Sequence, residues 1–176
     1  MPVRRLNHAV LYVRDVKASV AFYAEVLGFA PIAGMAELEG AAFLRAPSST
    51  NDHDLGLFEV GAAAGPSGAG RATVGLYHLA WEVETLADLA EVGGRLTARG
   101  ALSGATDHAT TKALYGKDPD GLEFEVSWLV PADRLTPGIL AARDKLLPLD
   151  LHAEIAHFGA DTVGGVGVSV PAPAPA

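Results

Sequence analysis

Cysteine is absent from all 176 residues, which excludes disulfide frameworks, thiolate metal sites and thiol nucleophiles together. Any bound metal must then be held by imidazole and carboxylate, so the six histidines become the side chains to follow. Basic residues are also scarce. Lys and Arg number 13 against 21 Asp and Glu, giving a formal charge of −8, and no Lys/Arg cluster offsets it locally. Such a surface repels a phosphate backbone, so nucleic acid is not an expected partner. No apolar run approaches the length of a membrane span. The opening MPVRRLNHAVLYV faintly mimics a signal peptide, but Arg14, Asp15 and Lys17 follow too soon and no small-residue cleavage site comes after. The expectation is a cytoplasmic protein without membrane contact.

Apolar side chains, by contrast, make up 49% of the chain, enough for the core of one ordinary domain. Residues 6–13 alternate as a strand, with Leu6, His8, Val10 and Tyr12 on one face and Asn7, Ala9, Leu11 and Val13 on the other. A helix follows, capped by Asp15, with Val16, Val20, Tyr23 and Leu27 at helical spacing and Gly28 suited to its C-terminus. Three weaker strands are expected over residues 31–35, 41–46 and 53–60. The unit reads β-α-β-β-β.

The same order recurs from Leu76. His78 shares a strand face with Ala80 and Glu82, while Leu79, Trp81 and Val83 form the apolar back. Thr85 and Asp88 resemble a capping box with Asp in place of Glu; Leu86, Leu89, Gly93 and Leu96 fall on one helical face, and Gly100 is suited to end it. Strands are expected over residues 101–107, 112–116 and 122–129, the last two joined by the turn Asp118-Pro119-Asp120-Gly121. Each half opens with a strand carrying one histidine, which points to an internal duplication. Residues 61–73, rich in Ala, Gly, Pro and Ser, read as the loop between the halves.

Beyond Val130 the pattern changes. Pro131, Pro137 and Pro148 bracket a helical stretch at 139–147, and another is expected at 151–158, both packed outside the sheet. The domain organisation expected is a main domain over residues 1–130 with modules at about 5–60 and 75–130, a helical extension over 131–160, and a flexible Pro/Ala tail over 161–176. Trp81 and Trp128 read as core residues, and His152 and His157 as surface or packing residues.

Leu6-Asn7-His8, the FYAEVLGF stretch from Phe22 to Phe29, Leu76-Tyr77-His78 and the DPDGLEFEV stretch from Asp118 to Val126 together resemble the vicinal oxygen chelate superfamily, also called the glyoxalase/bleomycin resistance/dioxygenase superfamily. The resemblance covers roughly residues 5 to 130. It implies an α+β fold of paired βαβββ modules forming a cupped mixed sheet, here with a C-terminal helical extension. It also implies one divalent metal held by His8, His78 and Glu125. Strand parity allows Glu123 as well, but the family places its ligand four residues after the turn glycine, which selects Glu125. Two imidazoles and a carboxylate on one side of an octahedral ion leave three adjacent positions for substrate and oxygen, as in non-heme Fe(II) oxygenases.

A narrower resemblance separates the reactions this superfamily supports. Thr106, His108, Leu114, Tyr115, Asp118, Pro119, Gly121 and Glu125 match the extradiol ring-cleaving dioxygenase signature in order and spacing. The run His53-Asp54-Leu55-Gly56-Leu57 resembles the strand on which those enzymes carry an acid/base histidine. This likeness implies an Fe(II) enzyme, with Mn(II), Ni(II) or Zn(II) as alternative metals, that cleaves a catechol-like aromatic diol with O2. His53 would move substrate protons, and His108 and Tyr115 would hold the substrate oxygens. The resemblance also implies a homodimer. Glu59 is the competing feature, because it shares parity with His53 and lies where glyoxalase-type relatives place a fourth metal ligand, which would make an isomerase or lyase. A third alternative is a non-catalytic drug-binding resistance protein.

Overall fold

Asp15 sets where the first helix begins. Its carboxylate accepts hydrogen bonds from the backbone N–H groups of Lys17 and Ala18 at 2.9 and 3.0 Å, satisfying donors that the first helical turn leaves free. Gly28, at φ 73°, closes α1 (Val16–Leu27). In the computed structural model, which describes residues 3, 5–33, 38–70 and 72–165, the buried face of α1 is Val16, Ser19, Phe22, Tyr23 and Val26. The stripe is rotated from the expected one. Phe22 takes the interior position, and Val20 and Leu27 move to half-buried flanks.

The chain divides into two compact units, Met1–Gly75 with Asp118–Leu122, and Leu76–Lys117 with Glu123–Ala176. The first holds β1 (Ala9–Val13), α1, β2 (Ala30–Pro31), β3 (Ala41–Arg45) and β4 (Leu55–Glu59). Its four-stranded sheet has the order β1-β4-β3-β2, with β1 parallel to β4 and the other pairs antiparallel. Leu44, Leu55 and Leu57 are completely buried in its core, and truncating any one to Ala would cost about 2–5 kcal/mol. Val10 and Tyr12 point to the opposite, open face and are 51% and 74% exposed.

The turn Asp118–Leu122 belongs to this first unit. Gly121, at φ 80°, supplies the left-handed turn residue. The Asp118 carboxylate accepts from the N–H groups of Asp120 and Leu122, both at 2.9 Å. Its other oxygen accepts from the buried Tyr23 hydroxyl at 3.2 Å, and Asp120 pairs with Arg14 at 2.7 Å.

The second unit repeats the plan with β5 (Leu79–Glu82), α2 (Leu86–Ala98), β6 (Leu102–Asp107), β7 (Thr111–Lys117) and β8 (Glu123–Leu129). Thr85 and Asp88 form the expected capping box. Gly93 stays on the inner face of α2, where a Cβ would lie 3.1 Å from Leu114. The α+β class and the paired modules are as expected, with one mixed sheet in each unit.

The segment after Val130 departs from expectation. A short α3 (Pro137–Ala141), capped by Thr136, stops early, and Leu147–Pro148 forms β9, antiparallel to β6. Pro148 cannot extend a helix and biases Leu147 toward extended backbone, which suits a sheet edge. The segment α4 (Leu151–Phe158) is helical as expected. Phe158 packs on Trp128 with ring centroids 5.3 Å apart. Most of the expected Pro/Ala tail, residues 166–176, lies outside the described residues, as do Met35 and the end of the strand expected over 31–35.

Candidate functional site

In the first unit the open face of the sheet gathers two of the histidines. His8 stands one residue before β1 and His53 two residues before β4, because both regular strands begin later than their alternating patterns. The two rings lie 4.5 Å apart between centroids, and Phe43 meets His53 edge-on at 5.1 Å. Nδ1 of His8 is 2.6 Å from Asn7 Oδ1, and Nδ1 of His53 is 3.0 Å from Asp52 Oδ2. A carbonyl or carboxylate oxygen there makes Nδ1 the donor, leaving each neutral ring with its lone pair on Nε2.

The turn carrying His53 is organised on Asp54. Its buried carboxylate accepts from Ser49 Oγ at 2.7 Å, the Ala46 N–H at 2.9 Å and Asn51 Nδ2 at 2.7 Å. Burial alone would raise its pKa, but these hydrogen bonds outweigh burial and hold it below the usual value. Asn51 Nδ2 also donates to the Asn7 carbonyl at 2.7 Å, which ties the turn to the residue before His8.

The second unit assembles a hydrogen-bonded run from four of the predicted residues. Glu125 lies between Ala80 of β5 and Tyr115 of β7 in the sheet register. Its Oε2 is 3.2 Å from His78 Nε2, and its Oε1 accepts from the Ser127 hydroxyl. Tyr115 also hydrogen-bonds to Glu125, and the Tyr115 pKa is pushed up to about 12, first by burial and then by the Glu125 charge. The Tyr115 hydroxyl is 3.0 Å from His108 Nε2. With its proton directed to Glu125, the Tyr115 oxygen accepts, so His108 carries its proton on Nε2.

A sequence profile of the Glyoxalase/Bleomycin resistance protein/Dioxygenase superfamily matches residues 5–126. The chain belongs to this superfamily. Biphenyl-2,3-diol 1,2-dioxygenase 3 from Rhodococcus globerulus is 32% identical over 128 residues, 69% of this chain and 62% of that protein. The chain therefore spans less than two thirds of that relative's length. Among solved structures, a glyoxylase/bleomycin resistance protein/dioxygenase domain from Frankia sp. EAN1pec aligns with a TM-score of 0.59 at 23% identity, covering 72% of this chain and 92% of that one. Lactoylglutathione lyase from Agrobacterium tumefaciens aligns at 0.52 with 21% identity, covering 72% and 95%. These two likenesses carry the fold.

Many members of the superfamily are metal-dependent enzymes acting on small molecules, and the His78–Glu125 pair fits a metal. Two donors on bonds of about 2.1 Å at right angles stand about 3 Å apart, close to the 3.2 Å observed. His78 Nδ1 is buried with no hydrogen-bond partner among the described residues, so the Glu125 carboxylate beside Nε2 draws the ring proton there, and a metal bound between the two would take that proton's place. Among the described residues, no group of three or more His, Asp or Glu side chains is assembled as a metal cluster.

Glu59 departs from its expected placement. Register pairs Ala9 with Leu55 and Val13 with Glu59, which sets Leu55, Leu57 and Glu59 on the helix-covered face, opposite Val10 and Tyr12. Its carboxylate accepts from the Val16 N–H at 3.0 Å, at the start of α1. Parity with His53 fails because the chain bends at Asp54, before β4 begins. Sequence reasoning alone does not single out Asn7, Asp52 or Ser127, although an oxygen-bearing residue adjacent to a histidine, or two positions along a strand from a carboxylate, is a legible signal.

No helix among the described residues is long and apolar enough to cross a membrane.

Proposed function

We propose that this protein is an Fe(II)-dependent extradiol dioxygenase that opens the ring of a catechol-like diol with O2. The observation supporting it most is the run His108–Tyr115–Glu125–His78, which joins two polar groups of no use to a simple isomerase to a metal-ligand pair. The ring-cleavage signature over Thr106 to Glu125 and the 32% identical biphenyl-diol dioxygenase support the same chemistry.

His78 and Glu125 would supply two ligands, and His8 is proposed as the third on the sequence pattern alone. Bound Fe(II) would supply a Lewis acid that favours loss of a diol proton and a coordination position for O2. The protein's own part is orientation and proton transfer. Tyr115, kept protonated by its environment, would turn its O–H from Glu125 to a substrate oxygen when that carboxylate binds the metal, and the His108 Nε2–H on the Tyr115 oxygen would hold the hydroxyl in line. His53, with Nδ1 engaged by Asp52, presents Nε2 as a base for the second hydroxyl. Mn(II), Ni(II) or Zn(II) remain the alternative metals. An isomerase would draw on Glu59 as a ligand. With that carboxylate capping α1, we assign it no metal role.

The test is anaerobic Fe(II) reconstitution followed by oxygen-electrode assays on a panel of catechols. Stoichiometric O2 uptake with at least one diol is expected, and a panel with no uptake would sink the proposal.

A further inference from the structure

Lys112 is the most buried charged residue described, at 3% exposure. A buried ammonium requires partners, and Lys112 has two. Its Nζ donates to Asp107 Oδ1 at 2.5 Å and to Glu154 Oε2 at 3.0 Å, and it also lies 5.8 Å from the Phe158 ring centroid. Lys112 sits on β7, Asp107 ends β6, and Glu154 and Phe158 belong to α4. The proposed chemistry uses none of these groups.

The network ends beside His108. Asp107 Oδ1, the oxygen bound by Lys112, also accepts from the Ala109 N–H at 2.7 Å. Ala109 has φ 61°, the left-handed region, and is the one non-glycine with positive φ among the described residues. An alanine stays there only if its surroundings hold it, and the Asp107 hydrogen bond does so. The same turn is closed by His108 N–H to Thr111 O at 2.9 Å and Thr110 N–H to His108 O at 2.7 Å. The direction of the His108 ring toward Tyr115 is thus set by a backbone turn anchored on Asp107.

We propose that Glu154, Lys112 and Asp107 are positioning residues through which α4 sets the orientation of His108. The catalytic consequence rests on the dioxygenase function proposed above. Lys112 holds the Asp107 carboxylate in place for Ala109, and Glu154 holds Lys112 in place for Asp107. The C-terminal helix is therefore part of the machinery and not merely a cover for the sheet.

The test compares Glu154→Gln, Lys112→Met and Lys112→Arg, with Glu91→Gln as a control for a salt bridge that faces solvent on α2. Two readouts are taken on full-length protein. The first is the imidazole 1H–15N correlation of the metal-free protein, with the His108 signals assigned by comparison with His108→Gln. The second is kcat and KM for diol-dependent O2 uptake. Glu154→Gln and Lys112→Met should shift or broaden the His108 nitrogen signals, leave those of His53 unmoved, and lower kcat roughly tenfold, in line with the cost of a small misplacement. Lys112→Arg, which keeps the charge and can still bridge two carboxylates, should restore both. Glu154→Gln carries the decision if Lys112→Met fails to fold, because it leaves Lys112 paired with Asp107. Unchanged His108 signals in folded Glu154→Gln overturn the proposal, and so does a full kcat with the signals moved. A wild-type protein that consumes O2 with no diol removes the proposed reaction, and the nitrogen signals then decide the network alone.

Discussion

His78 Nε2 and Glu125 Oε2 stand 3.2 Å apart, and Ser127 occupies the other oxygen of that carboxylate. Glu125 is thus oriented with one oxygen toward the imidazole. Removing Glu125 should weaken metal binding more than removing any neighbour that only orients a ligand, for which 10–100-fold is usual. Glu125→Ala is expected to lose more than about 100-fold in Mn(II) affinity, measured by anaerobic calorimetry. Metal at 100 times its Kd should stabilise the wild type by about 2.7 kcal/mol and this variant far less. Equal thermal shifts would remove Glu125 from the ligand set.

Tyr115→Phe retains the ring and loses the donor. Metal affinity should stay within about threefold of wild type, while kcat for diol cleavage falls by roughly 100- to 1000-fold, the range for loss of one oriented donor at a reacting centre. Full turnover in Tyr115→Phe would show that this hydroxyl has no part in the reaction.

Asp54 is a stability element behind His53. Asp54→Ala leaves Ser49, the Ala46 N–H and Asn51 without their acceptor and should cost about 2–4 kcal/mol by urea denaturation. The hydrogen bonds hold the folded pKa below its unfolded value. The contribution is therefore complete above about pH 4 and lost as pH falls through the folded pKa. Asp54→Asn, which lacks this titration, should lose less of its urea midpoint than the wild type as pH falls below about 4. An equally steep fall in both proteins would contradict the assignment.

Tyr23 gives the opposite sign. Burial, and then the nearby Asp118 charge, raise its hydroxyl pKa well above the usual value. The folded state keeps a proton that the unfolded chain releases near pH 10, so stability is complete below about pH 10 and declines as pH rises beyond it. Tyr23→Phe should cost about 1–2 kcal/mol at pH 7 and show a shallower alkaline decline in urea midpoint than the wild type.

Gly116 is required by packing. A Cβ there would lie 2.7 Å from Phe124 and 2.9 Å from Leu96, so Gly116→Ala should destabilise by about 1–3 kcal/mol. A Tm unchanged from wild type would mean that β7 and α2 can separate freely at this point.

The legible part of the fold was local. Asp15, the Thr85–Asp88 box and the Asp118–Gly121 turn satisfy backbone groups within four residues of themselves, so sequence order alone places them. The illegible part depended on distant partners. Leu147 and Pro148 join a sheet because β6 offers an edge to them, and no spacing within 139–147 announces that. Strand parity placed Glu59 with His53, yet the bend at Asp54 breaks the alternation, and the helix start at Val16 then takes the carboxylate.

By itself the sequence determined the duplicated βαβββ order, the two histidines at matched points and the signature from Thr106 to Glu125, because these are patterns of residue type along the chain. Only tertiary structure decided that Glu125 faces His78, that Tyr115 bridges it to His108, and that a buried Lys112 links α4 to the His108 turn. Those relations depend on strand register and on burial of charge. Both are set by which surfaces pack together, and packing is not a property of any local stretch of chain.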